Sequence, residues 1–310
     1  MTSAPQKTMS SDAWVSLGML SVVWGCVFLA IRVSLDELGP FTVVAFRIVL
    51  ALPVLWAALV LMGLRMPGGW RLWGAFAVMG VLNNITPFSL QAWGQTHIES
   101  GLVAIFNAAT AIFGMLVAAI FMADERLTAR KLIGTALGFA GVLTAIGWDA
   151  LRGFDIRSLA QLAVIASTVS YAFAGVWARR HLSHLRPQVA ATGMLTCSAV
   201  MILPIAYLTE GAPSLDLAGT TWIALGYTSI IATAGAYLLY YRVLALAGSA
   251  NLMLCTLIIP PVAIVLGALV RDETLGASAY AGFALLACGL LVIDGRVLGR
   301  KRVPVAPPRG

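Results

Sequence analysis

Long apolar runs separated by short polar breaks set the pattern of this chain from residue 13 to residue 294. The runs fall near 13–31, 41–63, 71–93, 101–122, 132–148, 159–178, 188–208, 220–241, 250–270 and 277–294. Most approach the roughly 20 residues a helix needs to cross a bilayer core. None shows the strict alternation of a membrane barrel strand, so the pattern predicts helices. No break is longer than roughly a dozen residues, which leaves no room for an attached soluble domain. The break at 149–158 divides the runs into two sets of five.

The second set echoes the first. The stretch beginning at Asp124 realigns with the stretch beginning at Asp272 at a constant offset of 148, with 9 identities in 23 positions. Asp124/Asp272, Glu125/Glu273, Leu127/Leu275, Gly134/Gly282 and Gly141/Gly289 are among them. An offset near half the chain length marks a duplication. Because each half holds an odd number of spans, the second must enter the bilayer from the opposite side. Inverted repeats with a site between them are the architecture of many secondary transporters.

The predicted fold is all-α and integral to the membrane, with ten transmembrane helices in two five-helix inverted-topology repeats and both termini cytoplasmic. The parts are a cytoplasmic N-terminus (1–12), a first repeat (13–148), an exterior linker (149–158), a second repeat (159–294) and a basic cytoplasmic tail (295–310). Gly138 and Gly141 in the fifth span, with Gly282 and Gly289 in the tenth, predict close helix packing.

Composition agrees. Hydrophobic residues make up 60% of the chain and charged residues 11%, against a soluble norm of about 45–50% and 25%. Mean hydropathy is +0.91. The net charge of +7 would suggest nucleic acid, but its placement argues otherwise. With the N-terminus inside, only Arg32, Arg152, Arg157 and Arg271 of the 20 basic residues lie outside and only Arg47 within a span. The other 15 gather at interior ends and loops, as the positive-inside rule requires. Trp14 to Ala30 reads as a retained first span, too long for a signal-peptide core and followed by no cleavage site.

The residues present also restrict the chemistry. Cys26, Cys197, Cys255 and Cys288 are dispersed singly in apolar segments, a pattern of packing rather than of disulfides or metal. No P-loop, His-Glu-x-x-His or Gly-x-Ser-x-Gly occurs, so neither ATP hydrolysis nor the common membrane hydrolase chemistries are expected. All 13 acidic residues fall in loops or at span ends, and the three histidines are not mid-bilayer either. Such an inventory offers no proton relay. No enzyme activity, cofactor or nucleic-acid partner is expected, and the chain is expected to act as a monomer in the lipid bilayer.

The chain resembles the drug/metabolite transporter superfamily, in the group built from two EamA-type five-helix repeats. The resemblance is carried by Trp24-Gly25, Gly39-Pro40, Phe46-Arg47, Asn107-Ala108 and Asp124-Glu125. In the second half, Asn251, Pro260-Pro261 and Asp272-Glu273 occupy the equivalent places, so it covers about residues 13–294. It implies export of small metabolites, amino acids included, across the bacterial inner membrane, with a general likeness to aromatic amino acid exporters.

Polar residues inside spans are expensive and therefore point to function. In the third span Asn84, Phe88, Gln91 and Gln95 recur at spacings of four, three and four, one helical face. Pro87 removes the amide that would bond the Asn83 carbonyl and predicts a kink there. Thr233, Tyr237 and Tyr240 share a face of the eighth span; with Trp24, Phe28 and Tyr171 they could line an aromatic pocket. Asn107, in the fourth span, stands at the repeat position matched by Cys255, near Pro260-Pro261. The expected substrate-binding set is Trp24, Asn84, Phe88, Gln91, Asn107, Tyr171, Thr233, Tyr237 and Tyr240. Interhelical amide contacts are the competing explanation for Asn84, Gln91 and Asn107, and an interfacial aromatic belt for the rings; the belt accounts better for Trp14, Trp70, Trp73, Trp148, Trp222 and Tyr280.

Arg47 reads either as an anchor snorkelling outward toward Asp36 or Glu37, or as a guanidinium for a substrate carboxylate. One arginine within the spans and many aromatics suit a neutral or zwitterionic substrate, carried by alternating access and without protons. A proton-coupled exporter of cationic drugs, which would want a buried carboxylate, is the rival, followed by an intramembrane enzyme.

Overall fold

The computed structural model describes residues 10–122, 128–146, 156–247 and 255–294, and all regular structure within them is helical. In chain order, α1 is Ser11–Ser34, α2 Pro40–Leu61, α3 Trp70–Gly80, α4 Thr86–Gln95, α5 Ser100–Ala108, α6 Thr110–Phe121 and α7 Ala129–Ile146. Then follow α8 Ile156–His181, α9 Pro187–Glu210, α10 Gly219–Gly226, α11 Ala236–Ala247, α12 Cys255–Arg271 and α13 Ala277–Asp294. Two π-helical segments, π1 (Val81–Ile85) and π2 (Tyr227–Gly235), join α3 to α4 and α10 to α11.

Every apolar run carries helix, with shifts of a few residues at the ends. The third stretch continues to Gln95, α7 begins at Ala129, α8 at Ile156, and the eighth stretch reaches Ala247. Among the described residues, five stretches are both long and apolar enough to cross a membrane: α1, α2, α5 with α6, α8 and α9. Asp124, Glu125, Asn251, Trp148, most of the linker, residues 1–9 and the tail lie outside the described residues.

Helix ends follow local chemistry. Ser10 accepts a hydrogen bond from the Ala13 amide at 3.2 Å and opens α1. Pro40 and Pro187 sit in the first turns of α2 and α9, where an amide would go unmatched anyway. Gly211, at φ 81°, ends α9 in a conformation that favours glycine. Along the outside, Val60, Leu61, Ile120, Leu208 and Leu269 are exposed, and so are Trp14, Trp70, Trp222 and Tyr280. Apolar surface of this extent suits lipid rather than water. Trp73 instead packs edge-to-face on Phe76 at 5.7 Å.

Among the helix pairs that join the halves of the chain, two show their relative direction plainly. The α7–α13 pair meets backbone to backbone. A Cβ at Gly141 would stand 2.5 Å from the Leu286 nitrogen, one at Gly282 2.5 Å from the Ala145 nitrogen, and one at Gly289 2.6 Å from the Gly134 oxygen. Partner numbers fall along α13 as they rise along α7, so the two helices run antiparallel. The α2–α9 pair does likewise: Glu210 reaches the start of α2, and Trp56 Nε1 donates to Thr196 Oγ1 at 3.2 Å.

At the end of the bundle that holds Asp36, carboxylates from one half stabilise helix starts in the other. Glu210 accepts from the amides of Phe41 (2.9 Å) and Thr42 (2.8 Å) at the start of α2. Glu37 accepts from the Ala218 amide at 3.1 Å and from the Thr221 hydroxyl, at the start of α10. Glu273 accepts from the Ser100 amide at 2.9 Å and its hydroxyl at 2.6 Å, at the start of α5. Anions there meet unsatisfied amides and the positive end of the helix dipole. Gly39 leaves room for this contact, since a side chain there would overlap the Glu210 carboxylate and displace it. Ion pairs add to these links: Arg271–Asp36 at 2.5 Å, Arg157–Glu99 at 2.7 Å and Arg32–Glu273 at 4.0 Å. An open cavity of about 310 Å³ beside them is lined by Arg32, Val270, Arg271, Asp272 and Glu273.

Candidate functional site

The two π-helical segments set the geometry of the bundle's interior. Shifted by 148 residues, Val81–Ile85 falls within Tyr227–Gly235. In each, an amide bonds the carbonyl five residues back: Thr86 to Val81, and Ala236 to Ile231. Such wide turns are rare and concentrate at functional sites.

Their causes differ. In π1, Pro87 has no amide for the Asn83 carbonyl, and the ladder widens just before it. In π2, side-chain hydroxyls compete with amides for carbonyls. Ser229 Oγ donates to Leu225 O at 2.6 Å, Thr228 Oγ1 to the same oxygen at 3.0 Å, and Thr233 Oγ1 to Thr228 O at 2.7 Å.

Arg47, buried on α2, lies between these two segments. Its Nε donates to Thr233 Oγ1 at 3.2 Å, and its guanidinium carbon stands 3.8 Å from the centre of the Phe88 ring. One contact reaches π2 and the other the helix leaving π1. Tyr171 of α8 packs against the buried cluster that includes Ile85 and Phe88. Asp36 and Glu37 are engaged elsewhere, by Arg271 and by the start of α10. Arg47 thus turns into the bundle, a direction different from the outward anchor that its sequence position allowed.

One helical turn below Phe88, Gln91 Nε2 donates to Asn107 Oδ1 at 2.9 Å and to Ser167 Oγ at 3.1 Å. This bond set ties α4 to α5 and α8. Near it, among the described residues, the buried Thr110 Oγ1 has no hydrogen-bond partner, and neither has any side-chain polar atom of Gln95. Asn84 points toward α9, donating from Nδ2 to Ser198 Oγ at 3.0 Å. Gly80 permits that approach, since a Cβ there would stand 2.6 Å from Ser198 Oγ. Trp24 and Tyr240 form a tilted ring pair 6.2 Å apart. Gly25 lets α12 close on α1: its Cβ would stand 2.6 Å from Val262, next to Pro260-Pro261, through which α12 continues as helix. The Tyr237 side chain lies outside the described residues.

The structure thus brings Arg47, Phe88 and Thr233 together, and Gln91 with Asn107. Trp24 and Tyr240 form a separate pair, and Asn84 is turned toward Ser198. Sequence reasoning passed over Ser167, Ser170 and Ser198. Ser170 donates to the Leu82 carbonyl of π1 at 2.7 Å. Serines are ordinary in membrane helices, and nothing in their spacing sets these three apart.

Comparison with known proteins agrees with this architecture. The profile of the EamA-like transporter family matches residues 12–147 and again residues 158–294. A "Probable terminal-alkyne amino-acid exporter" of Streptantibioticus cattleyicolor is 25% identical over 303 residues, covering 97% of this chain and 99% of the relative. A "Probable amino-acid metabolite efflux pump" of Escherichia coli K12 is 26% identical over 309 residues, covering 96% and 99%. A chain of known crystal structure superposes with a TM-score of 0.67 at 19% identity, covering 94% of this chain and 99% of its own, a likeness of fold. The chain belongs to the EamA-like transporter family, whose unit it carries twice in succession.

Proposed function

We propose that this protein is a secondary exporter of small neutral or zwitterionic metabolites, amino acids foremost, in the bacterial inner membrane. In this reading ten spans form two inverted five-helix repeats, and the site lies between them, where Arg47 meets the helices carrying π1 and π2. The observation that carries it is that junction: matched irregular helices from the two halves converging on polar and aromatic side chains. Irregular helices at a repeat interface are the usual form of a transporter site. The antiparallel α7–α13 and α2–α9 pairs support the inverted arrangement, and the relatives' names support amino acids. Trp24, Asn84, Phe88, Gln91, Asn107, Tyr171, Thr233, Tyr237 and Tyr240 remain the proposed substrate-binding set. An intramembrane cation, Arg47, disfavours cationic drugs as cargo because like charge repels them.

The test is uptake into proteoliposomes from a panel of amino acids, including aromatic and aliphatic members. At least one is expected to be transported faster than into empty vesicles. Transport of organic cations alone would refute the reading.

The Asp36 end is the exterior in this topology, and Glu273 and its companions hold it closed. Glu273→Gln removes the charge at the start of α5 and opposite Arg32, a loss of about 1 kcal/mol. The open form should gain roughly fivefold in population. Gln95, wholly buried behind Arg32, reports it. In a chain otherwise free of cysteine, Gln95→Cys should react with an impermeant maleimide applied outside, severalfold faster once Glu273→Gln is added. An unchanged rate would show that Glu273 does not hold this end.

A further inference from the structure

We infer that the Arg47 guanidinium binds the carboxylate of the transported substrate. This rests on the exporter reading and narrows it, from small metabolites in general to those bearing a free carboxylate.

The geometry points there in three ways. First, depth: Arg47 lies seven residues into α2, roughly 10 Å down the helix from Pro40. It is 9% exposed. A charge held at such depth is costly and marks function by default. Second, direction: its described contacts are with Thr233 and Phe88, not with the carboxylates of its own loop. Third, restraint: the guanidinium carbon stands over the Phe88 ring, 3.8 Å from its centre, and the Nε bond to Thr233 at 3.2 Å ties one edge of the group to π2. A guanidinium held this way is pre-organised for a planar two-oxygen partner, which an ammonium is not. Thr233 is itself held by its bond to the Thr228 carbonyl within π2. Carboxylate binding would therefore draw on the eighth-span helix as well as on α2, and so on both halves of the chain.

The experiment compares each transported amino acid with its own amide, which keeps the side chain and the amine but loses the anionic group. In wild-type proteoliposomes the amide should compete at least about thirtyfold more weakly, the lower range for losing one partner of a buried charge pair. Arg47→Gln should bring that ratio close to one. Arg47→Lys, which keeps the charge but not the fork, should fall between. The ratio is insensitive to how much protein folds, and should Arg47→Gln fail to fold, the wild-type ratio and Arg47→Lys carry the test. Equal competition by acid and amide in wild type, or a ratio unchanged in Arg47→Gln or Arg47→Lys, would overturn the inference while leaving the exporter reading in place. Absence of any amino acid transport by wild type would remove both.

Discussion

Replacing Gly141 or Gly289 with leucine will leave little folded protein. At Gly141 the first added carbon would stand 2.5 Å from one backbone atom of α13 and 2.7 Å from another, and neither can swing aside as a flexible side chain could. At Gly289 the nearest atoms are again backbone, Gly134 O at 2.6 Å and Gly138 N at 2.7 Å. Membrane helices lack a hydrophobic drive to associate and depend on close packing of small residues. Overpacking costs about 1–3 kcal/mol in ordinary cores, and a forced separation of these helices would also lose the contacts beside it. Size-exclusion chromatography of solubilised protein should show the monodisperse peak reduced severalfold, with alanine at either position intermediate. Gly74→Leu is the control, because no atom stands within 4 Å of a Cβ there. A normal peak for Gly141→Leu would mean that α7 and α13 do not pack as described.

Gln91→Leu should reduce transport at least about tenfold while the protein still folds. It removes two hydrogen bonds between membrane helices, each worth about 0.6 kcal/mol on average. That loss is small beside the stability of a typical domain. Function should suffer more, because one amide positions both Asn107 and Ser167 and sits one turn from Phe88 on the same helix. Flux measured at matched protein levels, together with the thermal midpoint, separates the two effects. Wild-type flux in Gln91→Leu would remove Gln91 and Asn107 from the site.

How far these features could be read from the sequence depended on whether their cause was local. The apolar runs carry helix because span length and hydropathy act along one segment, and Gly141 and Gly289 announced a close contact because only glycine permits one. Pro87 foretold an irregularity in the third span, since its missing amide is a local fact; it did not foretell that the irregularity would be a π-turn. The matching segment in the eighth span contains no proline. It arises from Thr228, Ser229 and Thr233, whose hydroxyls could equally have bonded elsewhere. The even spacing of Asn84, Phe88 and Gln91 suggested one shared surface. Once the ladder widens at π1, Asn84 turns to α9 while Phe88 and Gln91 meet α2 and α5.

Partner choice across the fold was the least legible property. Arg47 could have paired with Asp36 or Glu37 on distance along the chain alone, but those carboxylates serve Arg271 and the start of α10. The same holds for Glu210 and Glu273. In sequence they are acidic residues at span ends, and only the fold brings them to helix starts in the opposite half.

The central claim, that this chain is a carrier working by alternating access without proton exchange, is tested most directly by counterflow. Proteoliposomes are loaded with an unlabelled amino acid, and trace labelled amino acid is added outside with no pH difference and no membrane potential. A carrier that reorients with substrate bound will accumulate label transiently above its external concentration, then lose it as the internal pool drains. The described protein should do this, because no acidic residue or histidine stands mid-span to serve as a proton switch. Label that never exceeds equilibrium, or that accumulates only when a pH difference is imposed, would contradict the account.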